Sequence, residues 1–466
     1  MIIKIKEENV IFARLSFVVL VFVLLASFAF ADDPVSEQDQ IKKLEKKIED
    51  LQKQLDSMKQ QAPSADLEEI RRQLNVVAQE VEKLRSGEEE VVLEESQRRS
   101  LGLGPSAASI YTKKQGVSLA GYGEMLYENF PEETDAGTPS GRTDQIDFLR
   151  AIVYVGYRFN DRFLFNSEIE YEHASTGEGI GEVSVEFAHI DYRLNDDLTL
   201  RGGLVLIPMG FLNEFHEPNV FLGARRPLTE SVIIPSTWRE NGFGIAGRKG
   251  VVDYRAYLVN GFNAAGFLSS GLRDGRQNGA RAKLDSPSFV GRVDVTPAPG
   301  FLFGGSFYGG DSIVFGTSVP TDLNVPTIIG EGHVEYRRSG WDLRALYAQA
   351  SLDHVEELNA VIGATGNLSV GESLTGGYLQ AGYNLLARRE NENRSVTPYF
   401  RFEKVNTQSS VPSGFLKNPA RDQTVWTFGA EFSPIYNIVI KADYQNVDNE
   451  ADTGTNQFNL LLGYSF

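Results

Sequence analysis

From Gly116 to the C-terminus, apolar and polar residues alternate with a period of two. In the stretch TVWTFGAEF, Trp426 and Phe428 fall on one face, whereas Thr427 and Glu431 fall on the other. Because successive side chains of a β-strand point to opposite sides of a sheet, this period predicts strands with one apolar and one polar face. No amphipathic helix convincingly interrupts the pattern, so the fold class predicted for this region is all-β.

The connections between the predicted strands alternate in length. Short turns are expected at 160–161, 195–197, 249–250, 298–300 and 339–340, and long polar loops near 129–143, 207–240, 261–286, 312–328, 352–375 and 407–421. Short turns at one rim and long loops at the other are typical of outer-membrane barrels. Counting between the turns predicts a transmembrane barrel of about sixteen antiparallel strands across 117–466. A soluble β-sandwich, whose apolar face would point inward, is the alternative.

The final strand, NQFNLLLGYSF, has one almost fully apolar face. That face carries Phe458, Leu460, Leu462, Tyr464 and Phe466. Since every backbone polar group must be paired in lipid, an alternating sheet there has to close. We therefore expect the last strand to pair with the first. The terminal Phe466 resembles the C-terminal aromatic signal of bacterial outer-membrane proteins, which implies the barrel assembly machinery and outer-membrane lipid as partners.

The N-terminus carries an export signal. Basic residues precede the apolar run LSFVVLVFVLLASFAF, which ends in an A-x-A site at Ala29-Phe30-Ala31. This pattern predicts a signal peptide over residues 1–31, and the run is short for a membrane-spanning helix. An uncleaved membrane anchor is the alternative. The mature chain is expected in the bacterial outer membrane.

Residues 36–85 have the spacing of a coiled coil. Apolar residues recur in steps of three and four, in one run before Pro63 and another after it. This predicts a periplasmic stalk that associates with other copies, with a helix folded back on its own chain as the alternative. Peptidoglycan is a further candidate partner for the stalk. Residues 86–116, rich in Glu, Gly and Ser, are predicted to be a linker. Its GLGPSA imitates a nucleotide-binding motif, but no strand precedes it.

Composition excludes several function classes. The chain has no cysteine, which excludes disulfides and thiol nucleophiles, and its formal charge of −18 argues against nucleic acid as a partner. A barrel enzyme is a third hypothesis beside a channel and an anchor. The five histidines are scattered and no G-x-S-x-G motif occurs, so we expect no catalysis and no cofactor.

The period also identifies the residues that face the lumen. A sixteen-stranded barrel is wide enough to hold water, so charges on its wall would filter solutes by potential. Stabilisation of the wall by cross-strand ion pairs is the alternative for any one pair. The predicted pore-lining residues are Arg150, Arg201, Arg255, Arg292, Arg337, Arg344, Arg401, Lys441, Glu168, Glu170, Asp253, Asp294, Glu335, Asp342, Glu403, Glu431 and Asp443.

The longest loop, near 207–240, combines prolines with apolar residues. Prolines prevent a regular strand, and the apolar residues suggest packing, so we predict that the loop folds into the barrel and narrows it. Arg225 and Arg226 could attract anions there, and Glu214 and Glu217 could select cations. A metal bound by Glu214, His216 and Glu217 is considered, but no spacing signature supports it.

Several motifs resemble the phosphate-selective porin O and P family. They are LRGGLVLIPMGF with NEFHEP, then IIPSTWRENGFGIAG and FVGRVDVTP, and the likeness covers most of 117–466. The resemblance implies a homotrimer of sixteen-stranded channels that pass anions along wall arginines. One departure concerns Leu204-Val205-Leu206, where such porins often carry Gln-Phe-Lys. The barrel region is also acidic overall, which argues against phosphate selectivity.

Two functions therefore stand out from the sequence. The first is a porin for passive diffusion of small hydrophilic solutes or ions, with an anion or phosphate preference as its finer form. The second is a structural anchor that links the outer membrane to the cell wall through the stalk. Conductance after deletion of residues 32–100 would separate the two functions.

Overall fold

The computed structural model describes residues 93, 95–177, 179–319, 321–389 and 393–466. The predicted signal peptide, 1–31, and the predicted coiled coil, 36–85, lie outside the described residues. Within the described ranges, no helix has both the length and the apolar character needed to cross a membrane.

Sixteen antiparallel strands form one closed barrel in chain order, each paired with its sequence neighbours. This confirms the predicted all-β barrel. The strands are β1 Gly116–Asn129, β2 Gln145–Arg158, β3 Phe163–Glu172, β4 Val183–Arg193, β5 Leu198–Leu206, β6 Arg239–Lys249, β7 Val252–Asn260, β8 Pro287–Ala298, β9 Phe301–Ile313, β10 Asn324–Arg338, β11 Trp341–Leu352, β12 Ser373–Tyr383, β13 Ser395–Ser410, β14 Asp422–Ile435, β15 Ile438–Asn449 and β16 Gln457–Ser465.

The last strand closes the barrel against the first, as the sequence predicts. The register runs from Tyr122 opposite Ser465 to Asn129 opposite Phe458. Beyond the strand, the backbone N–H of Phe466 donates to the carbonyl of Gly121 at 2.8 Å, and Gly121 donates back at 2.9 Å. The edge groups of both terminal strands are therefore paired with each other.

The two faces of the barrel wall differ in chemistry. On β14, Trp426 and Phe428 are exposed, whereas Val425 and Thr427 are buried. The same alternation of exposed apolar and buried polar residues recurs on β7 to β13, with Leu379 on β12 as a strongly exposed example at 61%. An apolar outer face and a polar inner face are the reverse of the pattern expected for a water-soluble sheet protein.

Most short turns lie at one end of the barrel and most long loops lie at the other. The turns after β6, β8 and β10 are two residues long, whereas the loops after β1, β5, β7 and β11 are long. The predicted loop near 312–328 is shorter, because β9 continues to Ile313 and β10 begins at Asn324. The β11–β12 loop contains an eight-residue helix, α2 (Val355–Ile362), which the period-two interpretation missed.

Two segments enter the barrel lumen. The first, residues 95–112, contains helix α1 (Glu95–Leu101) and a 3₁₀ turn (Ser109–Thr112), and we call it the lumen segment. The second is the β5–β6 connection, residues 207–238, which we call the inner loop. Its buried apolar residues, such as Phe211 and Trp238, pack against inward residues of the wall, such as Tyr308. Other short helical turns are Thr229–Ile233, Ala264–Gly266, Arg273–Gly275, Gly366–Leu368 and Pro419–Arg421.

The lumen segment lies in the region whose composition predicts a linker, 86–116. Leu103, Ala107, Ala108 and Ile110 are nearly fully buried. Composition did not anticipate this packing, because the partners of the segment lie on strands far away in sequence.

Candidate pore and the segments inside it

The predicted pore-lining charges all lie on strands and face away from the exposed apolar side chains. Most of them are covered by the lumen segment and the inner loop. Side-chain exposure above a tenth remains for Arg150 (13%), Arg337 (37%), Asp342 (16%) and Glu431 (11%). The sequence predicts a lumen wide enough to hold water. In the structure, the backbone of these two segments occupies much of that lumen, so most wall charges contact protein.

Wall charges on β11 to β15 hold the inner loop by its backbone. Lys441 donates to the carbonyl of Phe221 at 2.6 Å, and Arg344 donates to the carbonyl of Val220 at 3.1 Å. In the opposite sense, the carboxylate of Asp443 accepts from the N–H of Ala224 at 2.7 Å. Likewise, Arg401 donates to the carbonyl of Arg225, and Glu403 accepts from the backbone N–H of Leu228. These residues satisfy buried backbone groups of the loop, a role that sequence alone could not distinguish from solute contact.

A second group of charges forms a continuous network on β7, β8 and β10. Asp294 accepts from Arg255 and Arg292 at 2.9 and 2.8 Å, and it also contacts the His333 ring at 2.9 Å. Glu214 of the inner loop joins the network through Arg255 at 3.1 Å. Asp253, also buried, lies 3.5 Å from Arg248. Because these buried charges are paired with one another, they hold the inner loop in position and are not free to contact a passing ion.

Glu214, His216 and Glu217, three of the five residues predicted for the constriction, contact different partners. Glu214 binds Arg255, His216 contacts Glu168 at 3.2 Å, and Glu217 accepts hydrogen bonds from the lumen segment. Because their side chains diverge, they do not form the metal site considered above. Among the described residues, no group of His, Asp and Glu could hold a metal ion.

Arg225 and Arg226 line a cavity at the loop end of the barrel. Arg225 pairs with Glu128, and Arg226 donates to the Ser236 hydroxyl at 3.2 Å. The cavity measures about 840 Å³. We call it the vestibule. It is lined by six arginines, Arg142, Arg150, Arg225, Arg226, Arg273 and Arg421, and by three glutamates, Glu124, Glu128 and Glu403.

Cations in the vestibule repel one another. Arg150 is paired with Glu124 and Glu170 at 3.5 and 3.3 Å. Arg273, on the β7–β8 loop, has no acidic partner of this kind among the described residues. Desolvation, together with the neighbouring Arg276 and Arg226, lowers the pKa of Arg273 to about 9, which leaves its side chain charged at pH 7. The vestibule is therefore basic although the whole chain is acidic.

A smaller cavity of about 210 Å³ lies at the turn end of the barrel. It is lined by Glu95, Arg98 and Arg99 of the lumen segment, by Phe215 of the inner loop and by wall residues such as Glu335. No residue lines both this cavity and the vestibule. The two segments in the lumen lie between them.

The lumen segment is bound through both its carbonyls and its N–H groups. Arg201 donates to the carbonyl of Leu101 at 2.9 Å, and Arg255 donates to that of Arg99. Glu217 accepts from the backbone N–H of Ser106 at 2.9 Å and from its hydroxyl at 2.9 Å. The only sequence signal for this arrangement is GLGPS, because Gly102 and Gly104 permit close approach to Glu214 and Glu217.

No family model matches the chain. Among solved structures, OmpF of Salmonella typhi in complex with daunomycin is similar with a TM-score of 0.49 and 10% identity, covering 76% of this chain and 98% of that one. The outer-membrane channel DcaP of Acinetobacter baumannii gives a TM-score of 0.48 and 12% identity, with 75% and 97% covered. A loop-deletion mutant of OmpT, an outer membrane protein of Vibrio cholerae, gives 0.49 and 12%, with 76% and 100% covered.

A relative is found in Aquifex aeolicus, where it is described as an uncharacterized protein. The two sequences are 36% identical over 388 residues, which is 81% of this chain and 86% of the relative. Similarity of this extent covers most of the barrel. The chain belongs to the same family as this uncharacterized Aquifex aeolicus protein.

Proposed function

We propose that the protein is an outer-membrane channel for small hydrophilic solutes, with a preference for anions. The observation that carries the proposal is a closed barrel with an apolar outer face and a charged, partly hollow interior. A lipid bilayer explains the outer face, because only there does a continuous apolar surface avoid contact with water. The polar interior then provides a route for solutes that cannot enter lipid.

The anion preference rests on the vestibule. With six arginines against three glutamates, it presents a positive potential to a solute at the loop end. Charges at the mouth of a pore raise the local concentration of counter-ions and so favour their passage. Phosphate is the oxyanion to test, following the sequence resemblance. Many wall arginines deeper in the barrel are already occupied by carboxylates or loop carbonyls, so selection is assigned to the vestibule.

Planar-bilayer recordings of the purified full chain test the proposal. We expect discrete conductance steps and, in asymmetric KCl, a zero-current potential that corresponds to chloride being more permeant than potassium. Repeating the measurement with potassium phosphate asks whether the preference extends to this oxyanion. Cation preference would contradict the anion assignment, and absence of any conductance would contradict the channel. Native mass measurement in detergent tests homotrimer assembly, which we include in the proposal on the basis of the sequence resemblance.

A structural anchor remains a second candidate, because the lumen is so extensively filled. The inner loop alone contributes ten buried apolar side chains, which is more packing inside the lumen than a simple water-filled pore requires. If the stalk predicted at 36–85 binds the cell wall, the barrel would serve as its membrane attachment. Co-sedimentation with purified peptidoglycan, compared with and without residues 32–85, tests this role directly.

A further inference from the structure

We propose that residues 95–112, the lumen segment, form a removable plug that restricts passage through the barrel. The proposal rests on the channel proposed above and concerns its regulation. The lumen segment crosses the barrel at the turn end. At one end, Glu95 contacts Arg337 on β10 at 3.1 Å. At the other, Ile110 lies against Gly156 on β2. In a ring of sixteen strands, β10 lies opposite β2.

The wall is complementary to the backbone of this segment. Asn166 on β3 donates to the carbonyl of Ala107 at 2.8 Å, and the Tyr111 hydroxyl donates to Asp191 on β4 at 2.6 Å. Arg201 and Arg255 bind carbonyls at the C-terminal end of α1, where the helix dipole favours cations. These specific contacts indicate that the wall forms a binding surface for this segment.

The plug covers charges that would otherwise line a passage. Asp191, Arg201, Arg255 and Glu335 are each at most 5% exposed, and each contacts the lumen segment. Without the segment these side chains would meet water at the turn end, next to the smaller cavity. Removal of the plug therefore opens a charged route rather than an apolar gap, which is what ion passage requires.

The attachment is graded along the segment, which makes the plug removable. Residues around Leu103 and Ile110 are buried, but α1 has no buried residue. The first residue of α1 is held by an ion pair with partly exposed members, Glu95 at 51% and Arg337 at 37%, whereas Arg99 pairs with the buried Glu335. Exposed ion pairs are weak and sensitive to salt. We therefore expect the Glu95 end of α1, which is continuous with the N-terminal part of the chain, to detach first.

The first test weakens the binding of the lumen segment to the wall and inner loop by substituting one glycine. Gly102 has φ +66°, and a Cβ there would lie 2.1 Å from the Glu214 carboxylate. Gly102→Val should displace the segment and raise the mean bilayer conductance several-fold. The matched control is Gly414→Val, because Gly414 has φ +85° in the β13–β14 loop with nothing within 4 Å of an added Cβ. Equal conductance of the two variants would overturn the plug.

The second test fixes the segment in place and does not depend on Gly102→Val folding. The chain has no cysteine, so an introduced pair has no competing thiol. A Cβ built on Gly104 lies 3.0 Å from the Cγ of Glu217, and in Glu217→Cys the sulfur would occupy that Cγ position, within reach of a disulfide. For Gly104→Cys/Glu217→Cys, we expect low conductance when oxidised and a several-fold rise on reduction. Ser312→Cys/Thr327→Cys, whose hydroxyls lie 2.8 Å apart in the wall, is the control and should not respond to reduction.

The possible outcomes separate the two proposals. A conductance that rises on reduction for Gly104→Cys/Glu217→Cys, but not for Ser312→Cys/Thr327→Cys, supports the plug. Steady conductance in all variants, unchanged by Gly102→Val and by reduction, contradicts the plug but leaves the channel intact. No conductance from any variant in either redox state contradicts the channel, and the plug with it.

Discussion

Arg401 on β13 shows how a charge on the inner wall can be structural. It is fully buried, its Nε lies 3.1 Å from Glu403, and it donates to the carbonyl of Arg225 at 3.1 Å. Arg401→Met removes the cation and leaves the Glu403 carboxylate buried, so we expect the free energy of unfolding to fall by about 3–5 kcal/mol. Urea unfolding in lipid vesicles measures this.

Lys404 provides the comparison on the same strand. It pairs with Asp422, but its side chain is 52% exposed. Lys404→Met should therefore cost less than about 1 kcal/mol in the same urea experiment. Similar losses for the two variants would show that Arg401 is not held in a closed, water-poor environment, and would argue that water reaches this part of the lumen.

Glu95 gives the attachment of α1 a defined pH dependence. Desolvation opposes its charge, but Arg337 and Arg99 lower the pKa of its carboxyl from 4.5 to about 2. A lowered pKa stabilises the attached state fully above pH 4.5, and that stabilisation is lost as the pH falls from 4.5 through about 2. A spin label on Ser100→Cys should thus become more mobile over this window. Glu95→Gln should remove the pH response; persistence of the response would assign it to another group.

At the scale of elements, the outer face of each strand decides which solvent the barrel occupies. Leu379, near the middle of β12, is 61% exposed. In a bilayer, Leu379→Arg places a cation among acyl chains, which costs about 2–4 kcal/mol near the midplane. Leu416→Arg, at a position 68% exposed in the β13–β14 loop, should cost almost nothing. Folding into lipid vesicles at increasing urea measures both, and equal stabilities would contradict a lipid-facing β12.

The elements differ in how far sequence could predict them. Strands, their number and the inward loop follow from local signals: a period of two, the spacing of turns, and prolines among apolar residues between β5 and β6. Apart from its two glycines, the lumen segment gave no such signal, because its fit depends on Arg201, Glu217 and Glu335, which lie about 100 or more positions away in sequence. Helix α2 was missed because eight residues give too short a period to stand out from a polar loop.

The same limit applies to the candidate site. Alternation correctly assigned charges such as Arg344 and Lys441 to the inner face, but it could not show that loop carbonyls would bind them. Facing the lumen and meeting a solute are different properties, since the second depends on what else enters the barrel. Arg273 was not singled out at all, because it lies on a loop outside the alternating pattern, yet it lines the vestibule.

At the scale of the whole molecule, charge sign depends on place. The chain carries −18 overall, so its mean field attracts cations, whereas the vestibule is basic. Fields act on a solute over roughly a Debye length, about 8 Å at physiological salt, so the lining of the vestibule should dominate selectivity.

Arg273→Gln removes a vestibule cation that has no acidic partner among the described residues, and it should shift the zero-current potential in asymmetric KCl towards potassium. Arg281→Gln makes the same charge change on the same loop, at an exposed position outside the vestibule lining, and should shift it little. Equal shifts would show that net charge, not the vestibule, sets ion preference.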